Sequence, residues 1–365
     1  LNILAVGSSI VSSYWNGAAT YYRGIYKYLA ARGHRIVFAE PNAFGRQDHL
    51  DVGDYSYVES LVYQPERGSE VIRDAAAGAD VVIKHSGLGV DDALLEALIP
   101  TLDPRQISIF WDVDAPATIS RISEDERDPF RQAIPLYSAI FTYGGGPLIE
   151  RAYRSLGAQS YSSIYNGLDP ETHHPVAPDP DLQCDVAFLG NRLPDREARV
   201  DELFLRAAEL IPHKRFILGG EGWVDKTLPS NVRWIGHVPT GAHNRVNCSA
   251  GMVLNINRQS MANSGFSPPT RVFEVAGAGA CLLCDNWPGI DDCFEPGKEV
   301  LVVTTAEDVV RALNDVDENG RRRIGAAFHR RAMRDHTYAQ RALLAERAFE
   351  KCMQGEPAAA TEILT

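Results

Sequence analysis

The residues in this chain with the clearest chemical use lie in the segment 271–303, RVFEVAGAGACLLCDNWPGIDDCFEPGKEVLVV. Glu274 sits on a short amphipathic helix that runs into Gly277, Ala278, Gly279 and Ala280, then into the apolar strand around Cys281 and Cys284. Small residues at the helix end let the backbone turn tightly into a sheet, with glycine as the usual cap. Arg271 precedes Glu274 by three residues, so the two share a helix face and can pair. Arg192 and Arg196 stand in GNRLPDR, where a strand opens into a helix, and a guanidinium fork matches phosphate oxygens. Each can instead pair with Asp195 or Glu197. In FWDVDAP, Asp112 and Asp114 lie two apart at a strand end, on one face if the strand persists. There they can serve as a general base or as a helix cap before Pro116. His85, closing ADVVIKH, is a second candidate base, and Asn16, Gly17 and Arg23 belong to the first strand–helix turn.

These groups need a scaffold of alternating strands and helices, and the sequence supplies it twice. The first half reads as the strands LNILAV, HRIVFA, ADVVIKH, ISIFWDVD and AIFTYG with helices between. The second reads as CDVAFLG, RFILGG, VRWIGHV, MVLNINR, ACLLCD and EVLVV. Such alternation predicts parallel β-α-β wiring, with binding loops at the carboxyl ends of the strands. Between the halves, YNGLDPETHHPVAPDPD carries turn residues and Pro170, Pro175, Pro178 and Pro180, the signature of a linker. His173 and His174 fall in it and read as a solvated loop. The expected division is residues 1–168 and 180–336. A final helix over 337–353, apolar near Tyr338, Leu343, Leu344 and Phe349, is expected to cross back to the first domain.

Composition narrows the function. At 365 residues and 45% hydrophobic content the chain can bury the cores of about two domains. A net charge of −12 argues against sequence-independent binding to nucleic acid or anionic lipid. There is no run of about 18 apolar residues, and the chain opens in a strand without a basic leader, so a cytoplasmic protein is expected. Six cysteines are too sparse for a disulfide scaffold. The Cys281/Cys284 pair has no second C-x-x-C or clustered histidines to make a metal site.

The helix–strand–loop–strand unit around Glu274 resembles the donor half of GT-B glycosyltransferases, and the linker segment 166–169, NGLD, followed by Pro175 is similar to the one joining their two domains. Three segments, SSIVSSYWNGAATYYRGIYKYLAARGH, FWDVDAPATI and GFSPPTRVFEVAGAGACLLCDNWPGIDDCFEPGKEVLV, together resemble the spore-maturation (CgeB-like) glycosyltransferases. The resemblance implies an α/β protein of GT-B fold, two Rossmann-like domains facing across a cleft. It implies transfer of a sugar from a nucleotide-sugar donor, UDP- or dTDP-linked, to an acceptor the sequence leaves unidentified, with no further cofactor and no metal. Glu274 would then take the donor ribose, while Arg196, Arg192 and Arg271 meet the diphosphate. His237 and Val238 would flank the base, and Asn255, Asn257, Arg258 and the loop Gly265, Phe266, Ser267 would line the donor pocket. Asn16, Gly17 and Arg23 would lie on the acceptor side.

The retaining enzymes of this type carry two glutamates separated by seven residues. Here Glu274 is the second, and Phe266 occupies the place of the first. Between Asn255 and Phe273 there is no acidic residue at all. The rest of the segment follows the retaining group, so retention is the course leaned to. An inverting reaction would draw its base from Asp112, Asp114 or His85. A nucleotide-sugar epimerase and a non-catalytic sugar- or nucleotide-binding protein remain the alternatives.

Overall fold

The computed structural model of the chain describes residues 1–14, 16, 18–50 and 55–357, and divides into two compact units. The first comprises Leu1–Asn166 and, among the described residues, 338–357. Its sheet contains β1 (Asn2–Val6), β2 (Arg35–Pro41), β3 (Glu59–Tyr63), β4 (Val81–His85), β5 (Ile107–Asp112), β6 (Ala139–Thr142) and β7 (Tyr161–Ser163). They run in the order β3-β2-β1-β4-β5-β6-β7 with every pairing parallel. This is the doubly wound Rossmann order, which reverses direction between β1 and β4. The outermost strands β3 and β7 carry Glu59, Ser60, Ser162 and Ser163, so they do not stand out as apolar runs.

Parallel strands buried on both faces read as continuous apolar stretches, and β1 shows why. Ile3 and Ala5 enter a core with the helix Ala19–Ala31, whereas Leu4 and Val6 enter the core on the opposite face. The helix Tyr338–Met353 completes the first of these cores through Tyr338, Ala342, Ala345, Ala348 and Phe349. Its stripe has the 3.6-residue period, and Leu343 and Leu344 flank it half-buried. Gly24 makes this docking possible: a Cβ there would lie 2.3 Å from the Tyr338 ring.

The second unit is Gly167–Thr337. Its sheet contains β8 (Cys184–Leu189), β9 (Phe216–Gly219), β10 (Val232–Trp234), β11 (Ala250–Asn255), β12 (Leu282–Asp285) and β13 (Leu301–Val303). The order is β10-β9-β8-β11-β12-β13, again all parallel, with the reversal between β8 and β11. The linker belongs to this unit. His173 is buried rather than solvated, because the chain from Leu168 packs on the helix Thr270–Ala278. Gly277 allows that approach, since a Cβ there would lie 2.5 Å from the His173 carbonyl oxygen. His174 is exposed. Among the described residues, no helix is long and apolar enough to cross a membrane.

Candidate functional site

The carboxyl ends of β8, β11 and β12 surround the reversal point of the second sheet, where open α/β sheets receive ligands. From β8 the chain passes through Gly190 and Asn191 into the helix Pro194–Val200; from β11 it passes through Asn257 into the helix Gln259–Ser264. At the end of β12, the fully buried Asp285 ties these ends together. It accepts from Asn255 Nδ2 at 3.0 Å, from the Asn257 backbone N–H at 2.9 Å and from Arg199 Nη2 at 2.6 Å. Burial still raises its carboxyl pKa, although these donors oppose the shift.

Glu274, only 7% exposed, lies at the centre of a charged cluster. Arg271 Nη1 approaches its Oε2 to 2.5 Å, His243 Nδ1 stands 3.2 Å from the same oxygen, and His173 Nε2 lies 3.9 Å from Oε1. Burial alone would raise the Glu274 pKa. Arg271, His243 and His173 together outweigh it and hold the carboxyl well below the usual range. Burial also lowers the His173 pKa, against the pull of Glu274. His243 is oriented from its far side, where Nε2 donates to the Val238 carbonyl at 3.1 Å.

Contact within the cluster is by charge rather than by aligned hydrogen bonds. Arg271 Nε and Nη1, Glu274 Oε2, His243 Nδ1 and both His173 nitrogens are buried without hydrogen-bond partners. Both amide atoms of the buried Asn257 are likewise unpartnered. Buried polar groups are nearly always satisfied, so such a concentration marks this place as the candidate for a polar ligand or ordered water. Among the described residues, no group of three His, Cys, Asp or Glu side chains could hold a metal ion.

The arginines sort into two kinds. Arg192 is committed to structure, with Nη2 on Glu197 at 2.8 Å and Nη1 on Asp225 at 2.9 Å. Arg196 pairs with neither of its acidic neighbours: Glu197 is taken by Arg192 and Lys226, and Asp195 accepts from Ser260. Its guanidinium lies over Gly190, where a Cβ would meet Nη1 at 2.9 Å, and its Nε is buried without a partner. Burial lowers the Arg196 pKa, and the charges of Arg258 and Arg271 lower it further. Asp285 and Asp195 oppose that shift, and Arg258 and Arg271 have carboxylate partners in Asp195 and Glu274, so of the three guanidinium groups at this sheet end Arg196 is the one without an ion pair among the described residues.

Gly265 and Phe266 both take positive φ, 67° and 47°, just ahead of the helix bearing Glu274. Such a conformation is uncommon for a bulky residue. It is fixed here by the Phe266 N–H donating to the Pro288 carbonyl at 2.7 Å, and by the bare face of Gly289, where a Cβ would meet the Phe266 ring at 2.4 Å. Ser267 is buried beside it. The strand read as VRWIGHV ends earlier, at Trp234, so His237 is an exposed loop residue and Val238 contributes its carbonyl rather than a strand end.

In the first unit the proposed bases have structural occupations. Asp112 is fully buried; its Oδ1 accepts from Ser86 Oγ at 2.7 Å, the Asp114 N–H at 2.9 Å and Thr118 Oγ1 at 3.1 Å, and its Oδ2 from Tyr153 Oη at 2.5 Å. With four donors on two oxygens and no exposed edge, the carboxylate fixes the turn after β5 and is not presented to an acceptor. His85 is corrected in the same way. Its ring is enclosed by Tyr22, Phe38 and Trp111, its Nε2 contacts Tyr26 Oη at 2.6 Å, and burial first, then Lys84, push its pKa down to about 3. Asp114 is half-buried at the N-cap of the helix Ala115–Glu124, without a side-chain bond to the first turn.

Asn16 is consumed by its own loop, donating to the Ser9 and Ser12 carbonyls at 2.6 and 3.0 Å and accepting from Ser8 at 2.8 Å. Arg23 Nε donates to the Ile10 carbonyl at 2.8 Å, and Gly17 lies outside the described residues. Cys281 and Cys284 are free buried thiols, and burial pushes the Cys281 pKa up to about 12.

Sequence reasoning left out His243. Its signal is the helix TGAHNRVNCS, where His243 and Asn247, one turn apart, are polar residues on the buried face.

Residues 196–346 match a family model described as glycosyl transferase-like. No curated protein matches the chain at a significant level. Among solved structures, sucrose-phosphate synthase from Thermosynechococcus elongatus superimposes with a TM-score of 0.72 at 12% identity, over 97% of this chain and 100% of that one. A glycosyltransferase from Rickettsia africae gives 0.70 at 9% identity, over 97% and 99%. The Anabaena protein HepE in complex with UDP-glucose gives 0.65 at 14% identity, over 96% and 99%. At these identities the likeness is one of fold: two Rossmann-like domains of the GT-B type.

Proposed function

We propose that the chain is a nucleotide-sugar-dependent glycosyltransferase whose donor is held by the second unit. The observation that carries this reading is the unsatisfied charged cluster of Glu274, Arg271, His243 and His173 at the end of a Rossmann-type sheet, with the unpaired Arg196 near Arg271 and Arg258. A ribose presents two adjacent hydroxyls, and a carboxylate held ionised is the strongest acceptor protein chemistry offers them. A diphosphate leaving group gains negative charge as the glycosidic bond breaks, and the guanidinium groups of Arg196, Arg258 and Arg271 would neutralise it without a metal ion. The glycosyltransferase match over residues 196–346 and the fold support the same assignment. UDP is the favoured nucleotide, supported by the UDP-glucose complex of the Anabaena protein.

Retention is the proposed stereochemical course. The acceptor hydroxyl attacks the anomeric carbon on the face the diphosphate leaves, the carbon–oxygen bond to phosphate breaks, and the acceptor proton passes to a leaving phosphate oxygen. This course needs no protein base, which agrees with the structural occupations of Asp112 and His85.

The purified protein should release UDP from a UDP-sugar, slowly with water and faster with the acceptor. Binding of UDP without any turnover across a panel of sugars and acceptors would favour a non-catalytic nucleotide-binding protein, which the phenylalanine at position 266 also suits.

A further inference from the structure

The opposite end of the second sheet holds a pocket with a different chemical character. The amino ends of β8 and β11 and the residue before β12 border a space of about 560 Å³, within the range of small-molecule sites. Arg215 and Arg321 line it, and among the described residues neither makes an ion pair. Arg321 Nε is buried without an acceptor, whereas the neighbouring Arg322 is paired with Glu318. Asn247, fully buried, also lines the pocket, and both atoms of its amide lack partners. The 18-residue helix Glu318–Asp335 begins here, its N-terminus capped by Asp317, whose carboxylate accepts from the Gly320 N–H at 2.7 Å. The competing negative end of the helix Thr270–Ala278 is largely spent, because Ala276 O meets His329 Nδ1 at 2.9 Å and Ala278 O accepts from Cys248 Sγ at 3.5 Å.

Two guanidinium groups outside any ion pair, Arg321 half-buried and Arg215 exposed, and an unsatisfied buried amide border one cavity, whose carboxylate Glu318 is engaged by Arg322; this lining suits an oxyanion with several acceptor oxygens. We propose that this pocket binds the phosphoryl group of a small molecule, at a site separate from the one holding Glu274. Its occupant would also reach the donor cluster mechanically. Asn247 lies one helical turn from His243, and the pocket-lining Gly279 caps the helix that carries Glu274. The regulatory consequence rests on the donor reading above; the binding itself does not.

Calorimetry with pyrophosphate as probe separates the two sites. The wild-type protein is expected to bind two pyrophosphate ions. Arg196→Ala should remove one, and a double Arg215→Gln, Arg321→Gln variant should weaken the other at least tenfold while UDP affinity stays within twofold of wild type. Asn247→Leu should raise the melting temperature yet weaken the second pyrophosphate several-fold, a combination that misfolding cannot produce. Pyrophosphate binding unchanged in the double variant overturns the proposal. So does succinate binding more tightly than pyrophosphate at this pocket, which would make it a carboxylate site. If Arg196→Ala leaves both sites intact while the double variant removes one, the donor reading fails and the pocket stands.

Discussion

Arg271 and Glu274, one helical turn apart, meet at 2.5 Å from Nη1 to Oε2, yet neither atom finds a hydrogen-bond partner there. An ion pair in that condition compensates charge without fixing direction. The carboxylate is kept ionised in a buried place while its acceptor capacity stays open for a ligand.

Glu274→Gln keeps the shape but replaces a charged acceptor with a neutral one. UDP affinity, measured by calorimetry, is expected to fall by roughly 1.5 to 3 kcal/mol, the range for hydrogen bonds to charged groups. Unchanged affinity in a folded variant would remove Glu274 from the ribose.

The same substitution has a pH signature. The Glu274 carboxyl is depressed in the folded state, so its stabilisation is complete above the ordinary glutamate range near pH 4.3 and is lost as pH falls toward the folded value. The melting temperature of wild type should therefore drop more steeply below pH 4 than that of Glu274→Gln. Parallel curves would mean that the carboxyl is not depressed.

Arg196 repels Arg258 and Arg271 and has no carboxylate partner among the described residues. Arg196→Ala should leave the melting temperature unchanged or raised while weakening UDP more than tenfold and uridine little, as expected when a functional charge is held against stability. Equal losses for UDP and uridine would place Arg196 away from the phosphates.

Asp112 and Asp114 should separate by stability. Asp112→Asn puts an amide donor where four donors converge and should cost roughly 1 to 3 kcal/mol in urea denaturation. Asp114→Asn should not, and under a retaining course it keeps near-normal turnover. A hundredfold loss of turnover in Asp114→Asn, with inverted anomeric configuration by NMR, would identify it as the base of an inverting enzyme.

His85 predicts a second pH window. Its pKa is depressed to about 3 from an ordinary value near 6.5, so the stability tied to its neutral form is full above pH 6.5 and declines as pH falls toward 3. His85→Gln, which keeps an acceptor for Tyr26 but does not titrate, should flatten denaturation midpoints between pH 6.5 and 4. A slope identical to wild type would show that burial does not hold this ring neutral.

The sequence by itself determined the two Rossmann-like units, because buried parallel strands must be largely apolar and the central strands β8, β9, β11 and β12 read that way. It also determined that Glu274 and Arg271 share a helix face, since spacing on a helix is local geometry. The edge strands β3 and β7 escaped it, because an edge strand needs little apolar surface to pair. Only the tertiary structure decided which charged residues are free. Arg192 and Arg196 are alike as sequence, but one is spent on Glu197 and Asp225 and the other is left to repel its neighbours. Asp112, His85 and Asn16 carry suitable chemistry at suitable places, yet packing surrounds them with donors and rings. His173 and His243, 70 residues apart in the chain, both flank Glu274, the first because Gly277 lets the linker lie against its helix and the second because the helix Thr240–Ser249 packs on that helix. Residue type sets what a group can do; the partners brought from distant segments set whether that capacity remains available.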